Sequence, residues 1–111
     1  MAQQEDFDLE TILSVITGIN CTDDFFKVYE LYWYLFEDQT ITYDGIVKLH
    51  DIAKNHILKI HPELKRIRFD ESMDLDDWIK IQKAKFGSVL TMCIVGERLI
   101  ILNRRPIAST R

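Results

Sequence analysis

A chain of 111 residues (13.1 kDa) with 47% hydrophobic and 29% charged residues can build one domain with its own core and is short for two. A formal net charge of −4 and a pI near 5.3 argue against direct capture of nucleic acid by a general positive field, because such domains are as a rule basic. No apolar run approaches the roughly 20 residues that cross a bilayer, the acidic opening "MAQQEDFDLE" lacks the apolar stretch of a secretion signal, and Cys21 and Cys93, far apart, make no disulfide framework; a cytoplasmic setting without membrane contact is expected.

In chain order, residues 1–7 read as a loose tail. "LETILSVITG", residues 9–18, predicts a short helix with Leu9, Ile12, Leu13 and Ile16 on one face and Gly18 as its C-terminal cap. Thr22 is placed to cap a second helix, with Asp23 and Asp24 in its first turn and an end near Glu37. This helix contains "FFKVYELYWYLF", which holds seven of the chain's twelve aromatic residues. At helical spacing Phe25, Val28, Tyr29, Tyr32, Leu35 and Phe36 form one broad core face. Phe26 and Trp33 lie beside it, and Lys27, Glu30, Tyr34 and Glu37 lie opposite. Core packing accounts for the broad face. Phe26, Trp33 and Tyr34 exceed that need and are assigned to a partner-binding surface, since aromatic anchors dominate binding hot spots.

A third helix is entered at Thr40 or Thr42 and stops before Pro62, with Ile46, Leu49, Ala53, Ile57 and Ile60 at its periodic positions and Lys59 and His61 at its end. The basic connector "LKRIRF" leads to a fourth helix, "DLDDWIKIQKAKFG". Asp74 is its N-cap, Asp76 and Asp77 its first turn, Lys83 and Lys85 its last, and Gly87 closes it. The period then changes. "SVLTMCIV" and "RLIILNRR" flank Gly96-Glu97, a type II′ hairpin signal. With Val95 opposite Arg98, the hairpin has Val89, Thr91, Cys93, Ile100 and Leu102 on one face and Leu90, Met92, Ile94, Leu99 and Ile101 on the other. The helices can cover one face; the second calls for another strand, another helix or a second copy, so a homodimer is expected. Residues 107–111 read as a second loose tail. The expected fold is a single α+β domain, four helices followed by a C-terminal antiparallel hairpin.

The residues that could carry chemistry are accounted for by structure. His50, His56 and His61 are turned by about 240° and about 140° from one to the next on a helix, so they do not converge on a metal. Cys21 precedes a helix start, but Asp23 and Asp24 oppose a thiolate there, and no Ser-His-Asp arrangement or glycine-rich phosphate loop is present. Helix capping explains Asp74, Asp76 and Asp77. No catalytic residue, metal or cofactor is therefore expected, and a metal-dependent hydrolase using the acids near Trp78 stands only as a third reading.

Charge is segregated along the chain. Residues 1–44 carry ten acids and one base, residues 45–69 six bases and two acids, residues 70–79 five acids, and residues 80–111 seven bases and one acid. Such segregation can create oppositely charged faces that steer association. Arg66, Arg68, Arg98, Arg104 and Arg105 could meet an anion or an acidic surface, which makes a sponge for a small anionic nucleotide signal the second reading. The acidic first third could equally meet a basic protein in the manner of a nucleic-acid mimic.

The order "FDLETILSVITG", "VYELYWYLFEDQTIT", "HILKIHPEL" and "DDWIKIQKAKFGSVLTM" resembles a family of small tailed-phage and prophage proteins of unknown function. The shared features are an S-V-T-T-G-like turn (Ser14 to Gly18), an aromatic helix, an H-P-x-L segment (His61, Pro62, Leu64) and a Trp-bearing helix closed by an aromatic-Gly pair (Trp78, Phe86, Gly87). The match covers residues 7 to about 92. The resemblance implies a phage or prophage product in a bacterial host cell, one that binds and inhibits or modulates a host protein complex, possible targets including a defence system such as a CRISPR nuclease. It carries over no catalytic residue.

Overall fold

A computed structural model describes residues 4–95. In chain order they form β1 (Gln4–Asp8), α1 (Leu9–Thr17), α2 (Phe26–Phe36), α3 (Tyr43–Ile60), a 3₁₀ turn (Pro62–Arg66), α4 (Leu75–Phe86) and β2 (Val89–Cys93). The α+β class and the four helices hold. The sheet is arranged differently from expectation: residues 4–7 are not a tail but most of β1, a strand ahead of the helices, which pairs antiparallel with β2. The expected hairpin partner, residues 98–105, and the tail at 107–111 lie outside the described residues.

α1 is the centre of the fold and touches α2, α3, α4 and both strands. Its expected face is buried, and so are Thr11, Ser14 and Val15, as befits a helix covered on all sides. Burial of Ser14 is supported by two hydrogen bonds, one donated to Glu10 O (2.8 Å) and one accepted from the Cys21 N–H (2.8 Å). Gly18 ends the helix at φ 77°, the left-handed conformation that glycine adopts without steric cost. On the far side of α1, Lys83 of α4 pairs with Glu10 at 2.6 Å.

α2 starts later than the Thr22 cap implies. Thr22 closes a local turn on Asn20, whose Oδ1 accepts both its N–H (3.0 Å) and its hydroxyl (2.6 Å). Phe25 takes the N-cap position, and the Asp24 carboxylate just before it accepts the Phe26 N–H at 3.0 Å. Short polar side chains favour such local turns, which compete with helix. α2 buries Val28, Leu31, Tyr32, Leu35 and Phe36. Leu31 falls outside the expected face; it is buried because α2 meets more than one neighbour. α3 begins after Thr42, and α4 runs between Asp74 and Gly87 as expected, the Asp74 carboxylate accepting the N–H groups of Asp76 (3.1 Å) and Asp77 (3.4 Å).

β1 and β2 pair Glu5 with Met92 and Phe7 with Leu90 on the inner face, and Gln4 with Cys93, Asp6 with Thr91 and Asp8 with Val89 on the outer. Met92 is fully buried. The outer face is largely polar, with the Thr91 hydroxyl donating to Asp6 at 2.6 Å. Two histidines of the α3 end hold β2: His56 Nε2 lies 2.7 Å from Cys93 O and His61 Nε2 2.7 Å from Thr91 O. A carbonyl only accepts, so each ring nitrogen donates. Beyond the strand, the Val95 N–H donates to Leu35 O at 2.6 Å. Among the described residues no helix is long and apolar enough to cross a membrane.

Candidate functional site

The pairing of β1 with β2 lays an acidic strand alongside α2. Phe7 is its anchor, with its ring 5.3 Å from that of Tyr34. Between strand and helix lies a cleft of about 500 Å³ lined by the acidic residues Glu5, Asp6, Asp8 and Glu30, the aromatic residues Phe7, Trp33 and Tyr34, and Thr11, Lys27 and Gln39; the Asp6 carboxylate also accepts the Thr91 hydroxyl. Glu30, Lys27 and Tyr34 are the residues that the helical spacing puts opposite the core face. β1 turns that side of α2 into a wall.

The aromatic wall is fixed by backbone contacts. Trp33 is half-buried, and its indole Nε1–H donates to Ile41 O at 2.9 Å. Its ring meets Phe26 edge-on at 5.4 Å and Tyr29 at 5.9 Å. The Tyr34 hydroxyl donates to Met92 O at 3.1 Å. Burial first, then the neighbouring Glu5, Cys93 and Glu37, pushes this hydroxyl above its ordinary pKa, so it stays protonated and keeps donating at neutral pH. Of the three aromatic residues assigned to a partner surface, Trp33 and Tyr34 line the cleft. Phe26, 50% exposed, sits against Trp33 outside it.

The electrostatics are one-sided. Lys27 is the one cation among the lining residues, and it is engaged by Asp8 (3.5 Å) and Asp23 (3.2 Å). Its hydrogen bond with Asp23 holds that carboxyl below the usual range and raises the lysine. The cleft therefore offers carboxylates and ring faces, the two surfaces that attract a guanidinium or ammonium group.

The basic set is less concentrated. Arg66 and Arg68 line a common cleft with Lys85, but Glu63 and Asp70 line it too. Arg68 folds back on its own connector, donating to Ile67 O at 2.8 Å and Lys65 O at 3.3 Å. Arg98, Arg104 and Arg105 lie outside the described residues.

The residues weighed for catalysis are individually placed. His50 Nε2 donates to Val15 O at 2.8 Å, so each histidine serves a different backbone carbonyl. No group of three or more His, Cys, Asp or Glu among the described residues could hold a metal. Burial pushes the Cys21 thiol up, the opposite of an activated nucleophile. Compared with known proteins, the chain matches no family model, no curated protein and no solved structure.

Proposed function

We propose that this chain is a non-enzymatic binding protein whose cleft between β1 and α2 captures a basic segment of a protein partner. One observation carries the reading: the acidic residues Glu5, Asp6, Asp8 and Glu30 and the anchored rings of Trp33 and Tyr34 line a single cleft whose one lysine is already paired. An arginine entering it can stack on the indole while its fork meets a carboxylate. The ring wall needs little ordering on binding, which favours affinity. Where the basic partner surface is one that holds nucleic-acid phosphates, occupation of the cleft would block it. This supports an inhibitor or modulator of a host protein complex, and the sequence resemblance to small phage proteins suggests a bacterial defence complex such as a CRISPR nuclease.

The test is titration of the protein with Arg-rich, Lys-rich and Glu-rich peptides, followed by calorimetry and by intrinsic tryptophan fluorescence, in parallel with affinity capture from a bacterial host extract. Arg-rich peptides should bind most tightly, weaken with added salt and lose on the order of tenfold with Glu30→Lys. Proteins captured by the wild-type chain should be lost with the same variant. Equal binding of Arg-rich and Glu-rich peptides, or capture unaffected by Glu30→Lys, would remove the proposal.

A further inference from the structure

A second cleft, of about 590 Å³, opens between α1, α2 and the first half of α3. Its volume is in the range of small-molecule sites, about 300–1,000 Å³. No aspartate, glutamate, lysine or arginine lines it, in contrast to the acidic cleft. Val28, Ile46 and Phe25 form apolar walls, and Tyr43 and Val47 stand at the mouth, 57% and 58% exposed. The Phe25 and Tyr43 rings lie 6.3 Å apart, inclined by 50°.

Tyr32 also lines this cleft and is 1% exposed. Its hydroxyl is the one buried side-chain polar atom among the described residues without a hydrogen-bond partner. A buried hydroxyl in that state destabilises the fold, and phenylalanine would fill the same space without the penalty. Burial, with a smaller effect from Asp51, raises its pKa to about 12, so it is a neutral donor at physiological pH. His50, which reaches the cleft from α3, is oriented by its bond to Val15 O at 2.8 Å and by Asp51, 3.5 Å from its other ring nitrogen.

We propose that this cleft binds a small, uncharged, mainly apolar molecule carrying one hydrogen-bond acceptor, and that the Tyr32 hydroxyl donates to that acceptor. With no aspartate, glutamate, lysine or arginine in the lining, little there would offset the desolvation of an ion, which favours an uncharged ligand. The apolar walls hold a hydrophobic body. The unpartnered donor supplies specificity, because a ligand with an acceptor removes the penalty that a ligand without one leaves in place. The hydroxyl is shielded from solvent, so the ligand reaches it by turning aside the exposed side chains of Tyr43 and Val47.

Acetophenone, ethylbenzene and benzoate are suitable probes: one ring size, with a neutral acceptor, no acceptor and a negative charge. The full chain, labelled with nitrogen-15, is titrated with each. Acetophenone should shift the amide signals of Val28, Ile46 and Val47, ethylbenzene should bind more weakly, and benzoate should leave them in place. Tyr32→Phe should weaken acetophenone roughly tenfold, the loss expected of one buried hydrogen bond, while leaving ethylbenzene unchanged. Val47→Arg, at an exposed position, should block both without unfolding the chain. The proposal is overturned if acetophenone causes no shift at millimolar concentration, if benzoate binds as well, or if acetophenone binds Tyr32→Phe as it binds the wild type. Because the acidic cleft lies on another side of α2, peptide binding there and probe binding here succeed or fail separately.

Discussion

Tyr32 and Trp33 are neighbours on α2, and replacing each by phenylalanine should change stability in opposite directions. Both substitutions keep a ring and so avoid a large cavity. At Tyr32 the change removes a hydroxyl that is buried and unpartnered. Relief of that desolvation should stabilise the fold by about 1 kcal/mol, the low end of the cost of an unsatisfied buried polar group. At Trp33 the change removes an indole N–H that donates to Ile41 O at 2.9 Å, worth about 1 kcal/mol. It also trims a half-buried ring, costing about a further 0.5–1 kcal/mol of apolar contact. The expected loss is therefore about 2 kcal/mol. For a domain of this size 1 kcal/mol moves the melting temperature by roughly 4 °C, so calorimetry or urea unfolding followed by circular dichroism resolves both effects. A Tyr32→Phe variant that is less stable than wild type by 1 kcal/mol would mean that the hydroxyl has a partner inside the protein. A Trp33→Phe variant of unchanged stability would mean that the bond to Ile41 contributes nothing. Either result refutes the reasoning.

The elevated Tyr32 pKa has a defined consequence for alkaline stability. A group that holds its proton more tightly when folded contributes stability that is intact below its unfolded value, near 10, and is lost as pH rises towards the folded value of about 12. Wild type should therefore lose more stability than Tyr32→Phe across that window, as equilibrium unfolding at stepped pH would show; parallel curves would contradict the burial of the hydroxyl. At the sheet, His61→Leu deprives Thr91 O of its donor and should cost about 1 kcal/mol. Amide hydrogen exchange in β2 should rise roughly fivefold if that strand opens by local unfolding, and unchanged exchange would show that the histidine does not hold the strand.

The parts of the fold legible in the sequence are those fixed by chemistry between near neighbours. Asp74 and Gly87 bound α4 because a carboxylate can satisfy N–H groups two and three residues on and because a glycine tolerates φ 93°. Gly18 ends α1 for a similar reason. β1 was not legible: Gln4–Asp8 holds a single apolar residue, Phe7, and its extended form depends on a partner 85 residues away, as the bond between Asp6 and Thr91 shows. The acidic cleft shares that fate, since it exists only once β1 crosses α2. Its ingredients were still visible as the excess of acids in residues 1–44 and the rings beyond the core face. The spacing of the histidines turns them apart on a helix, and nothing in it reveals that His56 and His61 meet carbonyls of one distant strand.

The aromatic density of α2 follows from the number of surfaces that this one helix serves. Aliphatic side chains would have filled the core. What they could not do is place a rigid wall beside a cleft and tie it to another segment through a polar tip. Trp33 and Tyr34 do this, their N–H and O–H donating to Ile41 O and Met92 O in two different parts of the chain. Rings with two side-chain torsions, fixed at both ends, lose little entropy when a partner arrives. Tyr32 differs from its two neighbours in one respect: its ring is more deeply buried, stacked 6.1 Å from Phe36, yet its tip is tied to nothing. If the polar tips of this helix served stability alone, the most buried of the three would be the one most in need of a partner. That the unpartnered hydroxyl belongs to the residue lining the uncharged cleft separates the polar tips of Trp33 and Tyr34, which fix the rings of the acidic cleft, from the tip of Tyr32, which under our proposal is left for a ligand.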